Sequence, residues 1–237
     1  MRKYILTRLN EYCPDVWANF DPNIGIEDGW LKHRMKIFNE YTIPSVNSQT
    51  DSNFIWIIKC HYKTPKWAMK ILKSLNAIID SRPYYEKKEI SCNRLMCKSF
   101  FSDNIKKSSD HKEILTINLD SDDFISKYFV ERLSESFELG KFVDFKMGVN
   151  VYKGKAFMKN ISPHHASPFY GYCESTDSDE IKTVFHKSHH KAFNVKKIND
   201  IGWGQVCHDY NIFNKLQNET KILLDDKFVL NKNISFV

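Results

Sequence analysis

Short apolar runs alternate with helix-like periodicity over the first 140 residues of the chain. The runs at 54–58 and 114–119 are largely apolar and are bounded by polar residues, which is typical of strands buried on both faces. Between such runs, apolar residues recur every three or four positions, as they do in amphipathic helices. This alternation predicts an α/β fold with a mixed, mostly parallel central sheet and helices on both of its faces.

The same pattern predicts the remaining elements of this first half. They are a strand at 4–6, a helix from Trp30 that Pro44 disturbs, a helix with Thr64 as its N-cap and Pro65 at its first position, a short strand at Ile90, a helix over 92–104, and a helix from about Phe124 to Gly140. Because strands and helices alternate, the helices are expected to connect parallel strands.

The pattern changes at about residue 142. Residues 142–158 predict a β-hairpin that turns at Lys153-Gly154, and 204–208 predict a short strand. The rest of this region combines short strands with loops and is rich in aromatic residues. No repeat or linker divides the chain, so residues 1–237 are predicted to form a single domain with two halves, 1–140 and 141–237.

The composition excludes several classes of protein. Hydrophobic residues make up 42% of the 237 residues, which excludes general disorder. The sequence contains no run of about 18 apolar residues that could cross a membrane, and its N-terminus turns polar too early for a signal peptide. The six cysteines form no C-x-x-C pair, so we expect reduced thiols and a cytoplasmic location.

The net charge of +6 comes from lysine, because the chain has 29 Lys and only 6 Arg. The lysines are scattered along the sequence, whereas a nucleic-acid-binding protein usually concentrates its basic residues on one face or helix. Nucleic acid is therefore not predicted as a partner. An anionic small substrate fits this charge, as does peripheral association with an acidic membrane surface.

The densest group of chemically active residues is Asp120-Ser121-Asp122-Asp123, directly after the predicted strand at 114–119. Ligands of open α/β sheets bind beyond the carboxyl ends of the strands. Three carboxylates in four residues repel one another, and a bound Mg²⁺ or Mn²⁺ relieves this repulsion while keeping positions for substrate phosphates. The cluster predicts a metal–diphosphate site, with helix capping by one or two of the aspartates as the alternative.

Two other features invite a functional interpretation. His186, His189 and His190 lie close together, but they lack the HExxH spacing and a cysteine pair, so a zinc site is not predicted. Trp203 stands between glycines and could stack on a sugar ring, although burial in the core is the more common fate of a tryptophan.

Several motifs follow one another in order along the chain. They are Tyr4-Ile5-Leu6-Thr7-Arg8-Leu9-Asn10, Trp30-x-x-x-Arg34-x-x-x-Phe38, Thr42-Ile43-Pro44-Ser45-x-x-x-Gln49-Thr50, Phe54-x-Trp56, Thr64-Pro65, Leu119-Asp120-Ser121-Asp122-Asp123, Pro168-Phe169 followed by Glu174, Thr183-Val184 before His189, and Trp203-x-Gln205-Val206-x-His208-x-x-Asn211. Together they resemble the putative rhamnosyltransferase family of GT-A type glycosyltransferases over about residues 3–215. Two positions depart from the family pattern. Asn118 replaces a basic residue, and Lys59-Cys60-His61 replaces an aspartate expected after the second strand.

The resemblance implies metal-dependent transfer of a hexose or deoxyhexose, such as rhamnose, from a nucleoside-diphosphate sugar. Asp120 and Asp122 would form the DxD pair that holds Mn²⁺ or Mg²⁺, with Asp123 as a substitute ligand. His208 would be a further metal ligand near the end of the fold. The metal would act as a Lewis acid on the leaving nucleoside diphosphate.

The resemblance also implies a set of donor-binding groups. Thr7, Arg8 and Asn10 end the first strand, where such folds hold the nucleotide. Asp120 and Ser121 would contact the same nucleotide. Residues 1–140 would thus be the donor half of the domain.

Acceptor binding is then expected in residues 141–237. The acceptor would be a glycan, a glycoprotein or a lipid-linked sugar. Transfer with inversion needs a base that deprotonates the acceptor hydroxyl. Glu174 is the expected base because aromatic neighbours would raise its pKa. Asp209, Asp177 and Asp179 are the alternatives.

Two other functions fit the same elements. A nucleotidyltransferase acting on a sugar phosphate would use the same sheet and acidic pair, but it would normally carry a glycine-rich, basic loop after its first strand. Here the loop that follows Asn10 has no G-x-G, and the next lysine is Lys32. A non-catalytic glycan-binding protein of this fold would show no metal dependence.

Overall fold

Ten strands form one continuous sheet in the computed structural model, which describes residues 1–10, 23–82, 93–108, 110–153, 155–161, 167–177, 181–185, 195–208 and 223–224. The strands are β1 Arg2–Arg8, β2 Phe54–Lys59, β3 Ile78–Asp80, β4 Glu113–Asn118, β5 Asp123–Ile125, β6 Phe142–Tyr152, β7 Lys155–Asn160, β8 Tyr170–Ser175, β9 Val195–Val206 and β10 Leu223–Leu224. Their main order is β10-β7-β6-β8-β4-β1-β2-β3, and β9 pairs with both β5 and β6.

The strands β3, β2, β1 and β4 run parallel, so their carboxyl ends meet at one edge of the sheet. The antiparallel β8 pairs with β4 and joins the second half of the chain to this parallel centre. The strand β9 runs parallel to β6 and ends at Val206, beside the short strand β5. The residues just after β4 and just after β9 are thereby brought together.

Helices cover both faces of the sheet, as the sequence predicts. They are α1 Asp28–Ile37, α2 Ile43–Asn47, α3 Lys66–Lys73, α4 Asn93–Ser108 and α5 Phe129–Glu135. Side chains alternate between the faces along a strand. On β1, Ile5 therefore packs in the core with α1, α3 and α5, whereas Tyr4 and Leu6 pack with α4 on the other face. The predicted mixed α/β fold is confirmed.

The helix that contains Trp30 is disturbed before Pro44, as predicted. A π-helical turn, Phe38–Thr42, follows α1 and leads directly into α2, with Pro44 in the first turn of α2, where no backbone donor is needed. Two other predicted boundaries are wrong. The helix after Thr64 begins at Lys66, with Pro65 as its N-cap. The aspartate cluster is followed by β5, and α5 begins only at Phe129.

The short strand expected near Ile90 falls outside the described residues, and the third parallel strand is β3 at Ile78–Asp80. Within the described part of the chain, no helix combines the length and apolar character needed to cross a membrane.

Candidate active site

Arg8 and Asp120 meet at the carboxyl edge of the parallel strands. Arg8 ends β1, and its Nη2 lies 3.2 Å from Oδ1 of Asp120, just beyond β4. About a third of each side chain is exposed, at 33% and 38%. Such a pair contributes little to stability, since water screens it. It does present one cation and one carboxylate to a ligand at the position predicted for the donor.

Asp122 lies deeper and joins two other elements. Its Oδ1 forms an ion pair with Arg34 of α1, and its Oδ2 lies 3.1 Å from Nε2 of His208, 86 residues further along the chain. Burial alone would raise the pKa of Asp122. The positive charge of Arg34 and the hydrogen bond with His208 outweigh burial, so the pKa lies below its usual value. Asp122 is thus held as a carboxylate.

His33 holds the other side of the His208 ring. Nε2 of His33 lies 3.3 Å from Nδ1 of His208, and the ring centroids are 4.9 Å apart. Without a cation, Nε2–H of His208 donates to Asp122 while Nδ1 accepts from Nε2–H of His33. In the opposite tautomer, Nδ1–H of His208 donates to Nε2 of His33, and Nε2 of His208 can then bind a cation. The order His33, His208, Asp122 resembles the support that metal-binding histidines receive from neighbouring polar groups.

Asp122 and His208 have the spacing of two ligands on one cation. Adjacent ligands of an octahedral ion at about 2.1 Å lie roughly 3.0 Å apart, close to the observed 3.1 Å. Within the described residues, no three His, Cys, Asp or Glu side chains are arranged to hold a metal by themselves. A cation at this pair would take its other ligands from water and substrate phosphates, as Mg²⁺ commonly does.

Asp123 has a different environment from Asp122. It is 1% exposed, and its Oδ1 accepts a 2.8 Å hydrogen bond from the backbone N–H of Val206. Burial raises its pKa well above the usual value, and the negative charges of Asp122 and Asp120 add to the effect. Asp123 therefore ties β5 to the end of β9 and so places His208 two residues later. Its role as a substitute metal ligand stays a prediction.

Three residues predicted to contact the nucleotide are instead enclosed by protein. The hydroxyl of Thr7 accepts a 3.0 Å hydrogen bond from the Trp56 indole, and Ser121 donates to the carbonyl of Leu9. Asn10 donates to the carbonyl of Gly25 at 2.9 Å. All three are at most 1% exposed. Their side chains hold the loops of this edge together, whereas Arg8 and Asp120 are partly exposed. Nucleotide contact by Thr7, Asn10 and Ser121 stays a prediction.

Glu174 lies at the opposite end of the sheet from the aspartate cluster. On β8 it pairs with Ile114, six residues before Asp120 along β4. At about 3.3 Å per residue, roughly 20 Å separate these two positions. The geometry therefore argues against Glu174 as the base, because the antiparallel direction of β8 carries it away from the site. Asp209 and Asp179 fall outside the described residues, as does the cluster of His186, His189 and His190.

Glu174 instead anchors the segment 181–185. Its two carboxylate oxygens accept 2.7 Å hydrogen bonds from the backbone N–H groups of Lys182 and Thr183. Thr183 has φ of 55°, which is unfavourable for a β-branched residue. The segment ends with the Phe185 ring, 5.3 Å from the guanidinium of Arg8. Glu174 thus supports Arg8 indirectly from the far end of the sheet.

We expect Glu174→Gln to lower the free energy of unfolding by about 1–3 kcal/mol, because the amide nitrogen cannot accept the second backbone hydrogen bond. The pH–rate profile should keep its shape. Denaturant unfolding and activity between pH 5 and pH 9 check this. Glu135→Gln, which alters an exposed pair with Arg132, is the control and should change stability by less than about 0.5 kcal/mol. A lost limb of the pH profile in Glu174→Gln would restore the base assignment.

A sequence comparison identifies the family of this chain. A family profile described as "Putative rhamnosyl transferase" matches residues 23–211, more than half of the chain. The chain belongs to this family. No curated protein matches it by sequence.

Solved structures similar to this chain share little sequence with it. TarS of S. aureus matches with 13% identity and a TM-score of 0.47, over 87% of this chain and 37% of TarS. A structure of TarS 1-349 matches with 14% identity and a TM-score of 0.46, over 87% of this chain and 60% of that chain. A putative glucose-1-phosphate thymidylyltransferase from Bacillus anthracis matches with 10% identity and a TM-score of 0.43, over 86% of this chain and 89% of that chain. The chain thus spans less than two thirds of the TarS chains.

One departure of this chain from its family pattern has a structural counterpart. Lys59, at the end of β2, is 1% exposed and donates to the carbonyl of Arg82 at 2.7 Å, with Asp80 of β3 at 3.6 Å. Burial acts to raise the pKa of Asp80, but hydrogen bonds from Arg82 and the charge of Lys59 lower it to about 2. The family pattern expects an aspartate after the second strand, and in this chain Asp80 supplies a carboxylate at the same edge of the sheet from the end of β3.

Sequence reasoning did not assign roles to Arg34, His33 or Asp80. Arg34 belongs to the motif that begins at Trp30, but its place on a helix does not show that its side chain reaches Asp122. His33 could be found only from the three-dimensional contact with His208. Asp80 follows a strand of three residues, which is too short to give a clear apolar pattern.

Proposed function

We propose that this chain is a metal-dependent glycosyltransferase that moves a hexose or deoxyhexose, such as rhamnose, from a nucleoside-diphosphate sugar to a glycan, glycoprotein or lipid-linked acceptor, with inversion. The observation that carries the proposal is the 3.1 Å approach of Asp122 and His208 beside the exposed Arg8–Asp120 pair. Family membership supports the glycosyl transfer. The fit of two metal-ligand side chains supports the cation.

The residues of the chain have distinct tasks in this proposal. Asp122 and His208 would hold Mn²⁺ or Mg²⁺, which when bound stabilises the leaving nucleoside diphosphate as a Lewis acid. Arg34 orients the carboxylate of Asp122 and keeps it ionised. Nε2 of His33 would accept from Nδ1–H of His208, which leaves Nε2 of His208 for the cation. Arg8 attracts the diphosphate electrostatically.

The remaining tasks concern orientation and the acceptor. Asp120 would accept a hydrogen bond from a hydroxyl group of the donor. Asp209 directly follows His208 in the sequence and is proposed as the base for the acceptor hydroxyl. The excess of lysine favours anionic glycans or an acidic membrane surface as the setting of the reaction, in the cytoplasm or at its membrane face.

A donor screen tests this proposal. The protein is incubated with UDP-, GDP- and dTDP-sugars, with Mn²⁺ or with a chelator, while thermal stability and nucleoside diphosphate release are measured. We expect one donor class to raise the melting temperature and to release nucleoside diphosphate only with the metal. Pyrophosphate release from a nucleoside triphosphate and a sugar phosphate would instead show a nucleotidyltransferase. No response to any donor would show a non-catalytic protein.

A further inference from the structure

Polar side chains gather on one face of the sheet next to the aspartate cluster. Lys159 of β7 lies opposite Gly148 of β6, and Gly148 lies opposite Trp203 of β9. In the neighbouring row, Asn150 of β6 lies opposite Gln205 of β9, which in turn pairs with Asp123. Residues two apart on a strand share a face. Lys159, Trp203, Asn150 and Gln205 thus form a patch, which we call the β7–β9 patch, that borders Asp123.

Lys159 is half-buried in this patch, and the described residues offer its ammonium no ion-pair partner. Its Nζ donates to Oε1 of Gln205 at 2.9 Å and lies 5.7 Å from the centre of the Trp203 ring. Within the described part of the chain, no carboxylate lies within ion-pair distance of its ammonium. Burial lowers the pKa of Lys159, and the neighbouring Cys207 thiol and Asp123 carboxyl offset this only in part. Partly buried charges in proteins are usually paired.

Two enclosed groups behind Lys159 also lack partners. Oδ1 of Asn150 and Nε1 of Trp203 have no hydrogen-bond partner among the described residues, although Asn150 is 5% and Trp203 0% exposed. A buried polar group without a partner is costly, and a ligand or ordered water commonly supplies the missing bond. Trp203 itself is a core residue, edge-on to Phe169. Its ring does not stack on a sugar.

The position of the patch relates it to the reaction. Gln205 directly pairs with Asp123, the neighbour of Asp122, and His208 follows Gln205 by three residues. A molecule bound at Lys159 would therefore lie beside the proposed cation pair, on the side of the sheet built by the second half of the chain. The donor groups Arg8 and Asp120 lie at the ends of β1 and β4, in the first half.

We propose that the β7–β9 patch is the acceptor subsite, and that Lys159 binds an anionic group of the acceptor, a carboxylate or a phosphate. Gln205 orients the ammonium through its side-chain oxygen. Asn150 and Trp203 complete their hydrogen bonds through water ordered by the bound sugar. The role as an acceptor site rests on the glycosyltransferase function, but anion binding by Lys159 does not.

Ligand-observed NMR with the 237-residue chain tests the proposal. The probes are glucuronic acid, which carries a carboxylate, glucose 6-phosphate, which carries a phosphate, and neutral glucose. Lys159→Met is compared with Lys146→Met, which removes an exposed lysine of β6. We expect at least one anionic probe to bind the parent and Lys146→Met equally, and to bind Lys159→Met about 10-fold more weakly or worse. Lys159→Arg, which keeps the charge, should bind within about threefold of the parent.

The two anionic probes show which acid group is preferred. The proposal would be overturned if Lys159→Met and the parent bound each of the two anionic probes equally well. It would also be overturned if the parent bound neutral glucose more tightly than either anionic probe. If Lys159→Met does not fold, Lys159→Gln takes its place. A more than tenfold loss of anionic-probe binding in Lys159→Gln, with binding retained in Lys159→Arg, supports the proposal, and unchanged binding in Lys159→Gln overturns it. These results do not depend on catalysis. Failure of the donor screen with retained anion binding would refute the glycosyltransferase function alone.

Discussion

Asp122→Asn should lower kcat/KM for metal-stimulated nucleoside diphosphate release by more than about 100-fold. Residues that only support a metal ligand typically cost 10- to 100-fold when they are changed, and a direct ligand should cost more. Asparagine keeps the shape of the side chain but removes the charge that faces Arg34 and His208. Steady-state kinetics with the donor identified by the screen, over a range of Mn²⁺ concentrations, measure the effect.

The control for Asp122→Asn is Asp51→Asn. Asp51 forms a partly buried ion pair with Lys3 near the amino end of β1, at the opposite edge of the sheet from the candidate site. Its removal costs an ion pair but should leave kcat/KM within about twofold of the parent. If Asp122→Asn retained metal-dependent release within tenfold of the parent, Asp122 would not be a ligand of the cation.

Gly148→Ala should lower the free energy of unfolding by about 2–3 kcal/mol. A Cβ at Gly148 would come within 2.2 Å of the Trp203 ring, which is fully buried and packs against Phe169. Neither strand β6 nor the indole can move without disturbing the rows that hold Asn150 and Gln205. Denaturant unfolding measures the loss, and a weaker response to the anionic probes should accompany it.

The matched control for Gly148→Ala is Gly29→Ala in α1. A Cβ at Gly29 meets no atom within 4 Å, and alanine is the better helix former by up to about 1 kcal/mol. Gly29→Ala should therefore leave stability unchanged or raise it slightly. A Gly148→Ala protein as stable as the parent would show that the ring and the strand do not pack as tightly as the structure indicates.

The parallel centre of the fold was predictable because burial leaves a local trace. The strands β2 and β4 are covered on both faces, so their sequences are nearly continuous apolar runs. The strand β3 has only three residues, and its position depends on pairing with β2 rather than on its own pattern. The π-helical turn before Pro44 leaves no periodic signal either.

The candidate site was predictable where charge density alone indicated it. Three aspartates after a buried strand pointed to Asp120 and Asp122, and the family motif pointed to His208. Glu174 was misplaced because sequence does not show that β8 runs antiparallel to β4. The pairing of strands far apart in the chain likewise determines that Lys159 reaches Gln205.

The central claim is that Asp122 and His208 together bind a divalent cation with the donor diphosphate. Electron paramagnetic resonance of free Mn²⁺ tests it most directly, because bound Mn²⁺ no longer contributes to the free signal. With the nucleoside diphosphate chosen by the donor screen, we expect the parent protein to deplete free Mn²⁺. Asp122→Asn and His208→Gln should each deplete it at least about 10-fold less effectively. Equal depletion by the parent and both variants would contradict the account.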